Sequence, residues 1–224
     1  MTTAEVRTPS AAPAPLGRWP RRAAAGARLT VLHLRSRRVP AGVLSIAACA
    51  LVLRAALRWN WMFTSGSLAQ QLPMIIEAGA VVAVVVTSHS PFGETERATG
   101  RWLPYLRLGA AVALTGLAIG VLQLGVTGGS LNGGVLVLAR NVVGLTGIGL
   151  LCAPVTGGLL AWTLPVGYVA FAEYALLESW VSPWVWPVRP AGDRGAWICA
   201  CVVYAVGLLA FTVRGARTRL TDSG

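Results

Sequence analysis

Lysine is absent from this chain: all 19 basic residues are arginine. A phosphate-binding P-loop needs a lysine behind its glycines, so the chain cannot hydrolyse ATP by that route. Charge of either sign is scarce at 12% of residues, and Asp and Glu together number only 8. The 2 histidines, His33 and His89, have no partners at metal-ligand spacing. Ser88 and Ser90 flank His89, but the acid that a serine hydrolase requires does not accompany them. Cys49, Cys152, Cys199 and Cys201 all fall in apolar runs, where cysteine behaves as a small hydrophobe. Cys199 and Cys201 are two apart on a helix and face away from each other, which disfavours a disulfide or a metal pair. With so few reactive groups the chain reads as not an enzyme, with no cofactor or metal of its own.

What the sequence does have is apolar length. Hydrophobic residues make up 55% of the chain and mean hydropathy is +0.64, values that point to an all-α polytopic membrane protein. A helix needs about 20 apolar residues to cross the bilayer core, and six runs approach that: 41–58, 69–87, 103–126, 135–153, 156–178 and 195–213. The fourth and fifth nearly merge; Pro154, Gly157 and Gly158 predict a tight turn between Ala153 and Gly158. The expected organisation is a basic tail over 1–38, a six-helix transmembrane domain over 39–214 and a short tail over 215–224.

Arginine placement predicts orientation. Arg7, Arg18, Arg21, Arg22, Arg28, Arg35, Arg37 and Arg38 precede the first run, Arg97, Arg101 and Arg107 follow the second, and Arg214, Arg217 and Arg219 end the chain. Only Arg58, Arg189 and Arg194 fall on the other side. The positive-inside rule then puts both termini in the cytoplasm. The net charge of +11 is accordingly assigned to contact with anionic lipid and not to nucleic acid. The tail does not read as a signal peptide. Its stretch AAAGARLTVLHLRSRR, 23–38, fits either an interfacial helix before the first span or a loose basic tail.

Ionisable residues within spans are the strongest functional signal, because an unpaired charge in lipid costs at least ~2.5–3.5 kcal/mol. Arg54, Glu77, Arg140 and Glu173 count to the outer half of their runs, with Asn141 beside Arg140. They form a candidate intramembrane polar cluster, with Arg54–Glu77 and Arg140–Glu173 expected as pairs on adjacent spans. Snorkelling of Arg54 and an interfacial Glu173 are the plainer alternative. Trp59, Trp61, Trp180, Trp184 and Trp186 gather at the outer boundary. The segment ESWVSPWVWPVRP, 178–190, is too short to span and either dips into the outer leaflet or lies along it. Gly116 and Gly120 form a GxxxG on the third run.

The segment between the second and third runs, SHSPFGETERATGRWLPYLRLG, is the most polar interior stretch. Ser90–Pro91 suits a helix start, and Glu94 and Glu96 fall in its first turns, where the helix dipole favours acids. Gly100 stops it. In place, length and acidity this short helix resembles the coupling helix of ABC exporter permeases of the type-two class. The run LARNVVGLTGIGLL, 138–151, resembles the fourth span of small actinobacterial permease-like proteins. A surface helix before the first span and a broken insert between the fifth and sixth, matching 23–38 and 178–190, are family features too. The resemblance covers about 23–214 and implies a permease that forms the substrate path as a homo- or heterodimer. A separate cytoplasmic ATPase would carry the ATP and contact Phe92, Gly93, Glu94, Glu96 and Arg97. The alternative is a non-transport integral membrane protein, such as an immunity factor or assembly scaffold.

Overall fold

The computed structural model describes residues 39–58, 68–88, 103–127, 134–157, 160–179 and 182–214, all within a unit spanning Arg37–Gly224. All regular structure among the described residues is helical: α1 (Val39–Arg58), α2 (Leu68–Ser88), α3 (Leu103–Val126), α4 (Gly134–Thr156), α5 (Thr163–Leu177) and α6 (Arg194–Arg214). A single 3-10 turn, Trp186–Val188, lies between the last two. The expected coupling helix, with Phe92, Gly93, Glu94, Glu96 and Arg97, and the interfacial helix over 23–38 fall outside the described residues.

Helix is the form these sequences take because an apolar medium offers no partner to a backbone N–H or C=O, and a helix pairs them all internally. The few hydroxyls follow the same logic. Ser88 and Thr115 donate to the carbonyls four residues back, Val84 at 2.8 Å and Ala111 at 2.7 Å. Five of the helices, α1 to α4 and α6, are long and apolar enough to cross a membrane. The chain is a multi-pass membrane protein. α5 is the exception to the six-span expectation: its 15 residues rise about 22 Å, short of the ~30 Å hydrocarbon core.

The reason is the reversal between α4 and α5. The turn expected between Ala153 and Gly158 is present, entered late: Pro154 sits inside α4, which continues to Thr156. The reversal begins at Gly157, whose φ of +87° is a left-handed conformation that suits glycine and closes the helix with its N–H on Ala153 O at 3.1 Å. The chain then turns through Leu160, whose carbonyl accepts from the Thr163 backbone N–H at 3.1 Å. Leu159–Leu160–Ala161–Trp162 is apolar enough to look like span, so α5 starts seven residues later than the hydropathy run that contains it.

Contacts at the helix ends give the winding. Gly42 near the start of α1 lies against Thr87 near the end of α2. Arg54, near the end of α1, donates to Leu124 O and Thr127 Oγ1 at the end of α3. Gly149 in the second half of α4 lies against Val85 of α2 and Pro165 at the start of α5. The helices therefore alternate in direction, and α1, α3 and α5 finish at one end, the upper end. α4 and α6 both start there and run parallel. In the spanning windows of α2 and α4, 61% of residues are buried, against 22% for α6, so α2 and α4 form the centre. Leu51 and Val52 of α1, Val112 and Leu124 of α3, and Val202 and Leu209 of α6 face outward, as lipid-facing positions should.

Candidate functional site

The buried polar side chains meet where α4, α2 and the α5–α6 connection converge near the upper end. Arg140, in the second turn of α4, is fully buried. Its Nη1 donates to Pro190 O at 2.8 Å and its Nη2 to Arg189 O at 2.7 Å. Charge-assisted bonds from a planar fork are short and directional, so Arg140 fixes where the connection sits. Beside it, Asn141 Nδ2 donates to Glu77 Oε2 at 2.9 Å, joining α4 to α2. Glu77 is 2% exposed and Asn141 3%. An unpaired carboxyl would be costly there, and the amide lowers that cost without supplying a charge.

The connection itself turns back into the bundle. Val185, Trp186 and Pro187 are buried. The Trp186 indole lies against Gly144, ten residues along α4 and so about 15 Å from its start. Gly144 is what admits it: a Cβ there would lie 2.6 Å from the indole Cε2. Tyr168 of α5 stacks on Trp186 with centroids 4.6 Å apart and donates its hydroxyl to Trp184 O. Phe171 stacks on Trp184 at 5.4 Å. Within 178–190, the stretch 185–187 packs inward against α4 and α5, while Pro183, Trp184 and Pro190 stay exposed.

Asp193 closes the segment against α6. Its Oδ1 accepts from the Gly195 and Ala196 backbone N–H groups at 2.8 and 3.2 Å, an N-terminal cap, and its Oδ2 accepts from Arg189 Nε. The Arg189 hydrogen bond, followed by the capped N–H groups, holds the Asp193 carboxyl below the ordinary carboxylate range. The cap therefore stays charged as pH falls toward that range and is lost only below it.

The expected cluster is thus partly assembled. Glu77, Arg140 and Asn141 come together, but the two expected ion pairs do not form. Arg54 turns to the end of α3, where its Nη1 lies 3.5 Å from Leu124 O and 3.4 Å from Thr127 Oγ1, a cation at a helix carboxyl end. Glu173 has both carboxylate oxygens buried without a hydrogen-bond partner, with Gln71 of α2 the polar side chain acting on it. Counting depth along each helix places the four charges at similar heights, but height does not say which faces meet.

Sequence reasoning misses Gly144, Tyr168 and the inward course of Trp186, which a tryptophan census puts at the boundary. The one available signal is a tryptophan flanked by valine and proline within a connection rich in aromatics. Among the described residues no group of three or more His, Cys, Asp or Glu could hold a metal, and the cysteines are free thiols. No family model, no curated protein and no solved structure matches the chain.

The Glu77–Asn141 contact has a measurable consequence. In a double-mutant cycle of unfolding in detergent, Glu77→Ala and Asn141→Ala should couple by about 0.6 to 1.7 kcal/mol, the range for hydrogen bonds inside helical membrane proteins. Glu77→Ala and Arg54→Ala should simply add. Coupling in the second cycle and additivity in the first would return the pairing to the one expected from depth.

Proposed function

We propose that the chain is the permease subunit of an ATP-driven ABC exporter of the type-two class, in a bacterial cell membrane. It lines the substrate path as one half of a dimer and is driven by a separate cytoplasmic ATPase. The observation that carries this reading is the segment between α5 and α6 that packs inward and is held by a buried arginine. A broken insert at this position is what the resemblance implies, and a chain that only anchored or scaffolded has no need of charge at that depth. In this reading α5, extended by the turns at both its ends, serves as a sixth crossing, and both termini lie in the cytoplasm. The segment 90–100, with Glu94 and Glu96, then meets the ATPase on the cytoplasmic side.

The test is chemical. The tagged chain, purified from its native membranes in mild detergent, should bring down a vanadate-sensitive ATPase that is a separate polypeptide. Glu94→Arg with Glu96→Arg should reduce that co-purified activity at least about tenfold, equivalent to ~1.4 kcal/mol or more of docking energy, at unchanged membrane levels. Absence of ATPase from the wild-type preparation would remove the exporter reading. Undiminished activity in the doubly reversed variant would remove the role of Glu94 and Glu96.

A further inference from the structure

Arg140 has one guanidinium and two competing claims on it. In the structure, Nη1 and Nη2 both serve backbone carbonyls of the 182–190 segment. Glu77 is close enough for the Arg140 charge to act on it, yet its hydrogen-bond donor is the neutral Asn141 amide. Arg140 Nε and Asn141 Oδ1 have no partner, so both side chains hold unused capacity within this contact. An ionised carboxyl at that depth would attract the guanidinium far more strongly than a carbonyl dipole can. The observed geometry, with the fork turned to the carbonyls, suits a neutral Glu77.

We propose that Glu77 is a proton-binding site that, through Arg140, sets whether the 182–190 segment is seated in the bundle. With the proton on, Arg140 holds Arg189 O and Pro190 O and the segment stays down. When the carboxyl O–H bond breaks, the proton passes to water at the upper end and the carboxylate draws the guanidinium across. Arg189 O then loses its donor. Pro190 O keeps the Asp193 backbone N–H at 3.1 Å, so the segment is released at one side and stays tethered at the α6 cap.

The other ionisable groups around this contact are engaged elsewhere. On α1, Arg54 serves the end of α3, and Cys49 lies by Gly79. On α3, Arg107 and Tyr105 have interactions of their own. On α5, Glu173 has no hydrogen-bond partner and is acted on by Gln71 of α2, not by Arg140, and Tyr168 donates to Trp184 O. Arg189 and Asp193 pair with each other, Asp193 also acting on Arg140, and on α6 Tyr204 meets Thr115 while Cys199 is a free thiol. Arg140 is the cation acting on Glu77. The proposal stands on this geometry and does not rest on the transport reading, so it survives if no ATPase is captured.

The experiment uses the full chain in nanodiscs, with the native cysteines replaced. A reporter, Val185→Cys, is buried in the seated segment, and a reference, Gly192→Cys, is exposed. Each is labelled with a charged methanethiosulfonate at about pH 6 and about pH 9, a range that brackets the titration of carboxyls in apolar surroundings. The ratio of reporter to reference rates should rise at least about tenfold with pH, beyond the change measured in Glu77→Gln, which should stay seated throughout. Glu77→Asp keeps the carboxyl and should retain the rise with a moved midpoint. A flat ratio, an equal rise in Glu77→Gln, or an unmoved midpoint in Glu77→Asp would each overturn the proposal.

Discussion

Gly147→Val should leave almost no folded protein after detergent extraction, and Gly207→Val should do the same. The two glycines face each other where α4 and α6 run side by side. A Cβ on Gly147 would lie 2.6 Å from both Cα and N of Tyr204, and one on Gly207 would collide with the Gly147 carbonyl oxygen. These neighbours are backbone, so no rotamer change relieves them. The helices would have to move apart along the seam that also seats Trp186 against Gly144. Overpacking a core ordinarily costs ~1–3 kcal/mol and occasionally more, and a rigid backbone contact belongs at or above the top of that range. Against a stability of ~5–15 kcal/mol the loss is severe. The control is Gly116→Ala: a Cβ there meets nothing within 4 Å, so thermal stability should change by no more than about 0.5 kcal/mol. Monodisperse protein from Gly147→Val would mean that α4 and α6 do not touch there. A marked loss from Gly116→Ala would mean that a neighbouring molecule covers that face of α3.

Arg140→Ala should be the next most damaging change, lowering unfolding free energy in detergent by ~2–5 kcal/mol, the usual range for deleting a large buried side chain, with an orphaned carbonyl added. The largest buried side chain of α4 would be gone, Arg189 O would lose its donor, and Glu77 would lose the cation acting on it, while Asp193 would keep Arg189. Arg140→Lys should recover only part of this, because an ammonium on a flexible stem cannot hold two carbonyls in the plane of a fork. Differential scanning of unfolding, with tryptophan emission as readout, separates the three proteins. Wild-type stability for Arg140→Ala would show that the segment is seated by its aromatic contacts alone.

Hydropathy reads α3 to its residue and α6 to within one residue at each end, because arginine, leucine and proline boundaries there coincide with the end of apolar character. The same signal fails at α5. The residues after Gly157 are as apolar as those of the helix, and transfer energy does not register that the backbone turns among them. Pro154 marks the turn slightly early: proline lacks a backbone donor, but α4 carries it near its end and turns at Gly157. In the site, Arg140, Asn141 and Glu77 are legible because charge in an apolar run is expensive and conspicuous. Their partners are not. Backbone carbonyls leave no mark on a residue count, and the glycine that admits Trp186 looks like any other of the 26 in the chain.

α5 also confronts the bilayer with a step in thickness. Its helix is about 8 Å shorter than the hydrocarbon depth, and Leu164, Val166 and Leu177 lie on its exposed side. Trp184 and Trp186 lie beside α5, stacked on Phe171 and Tyr168, and do not lengthen it. Acyl chains along that flank must therefore tilt or compress, at a cost of fractions of a kcal/mol per Å of mismatch. The protein would sit in a one-sided dimple, favour short-chain lipids beside α5 and partition into thinner membranes.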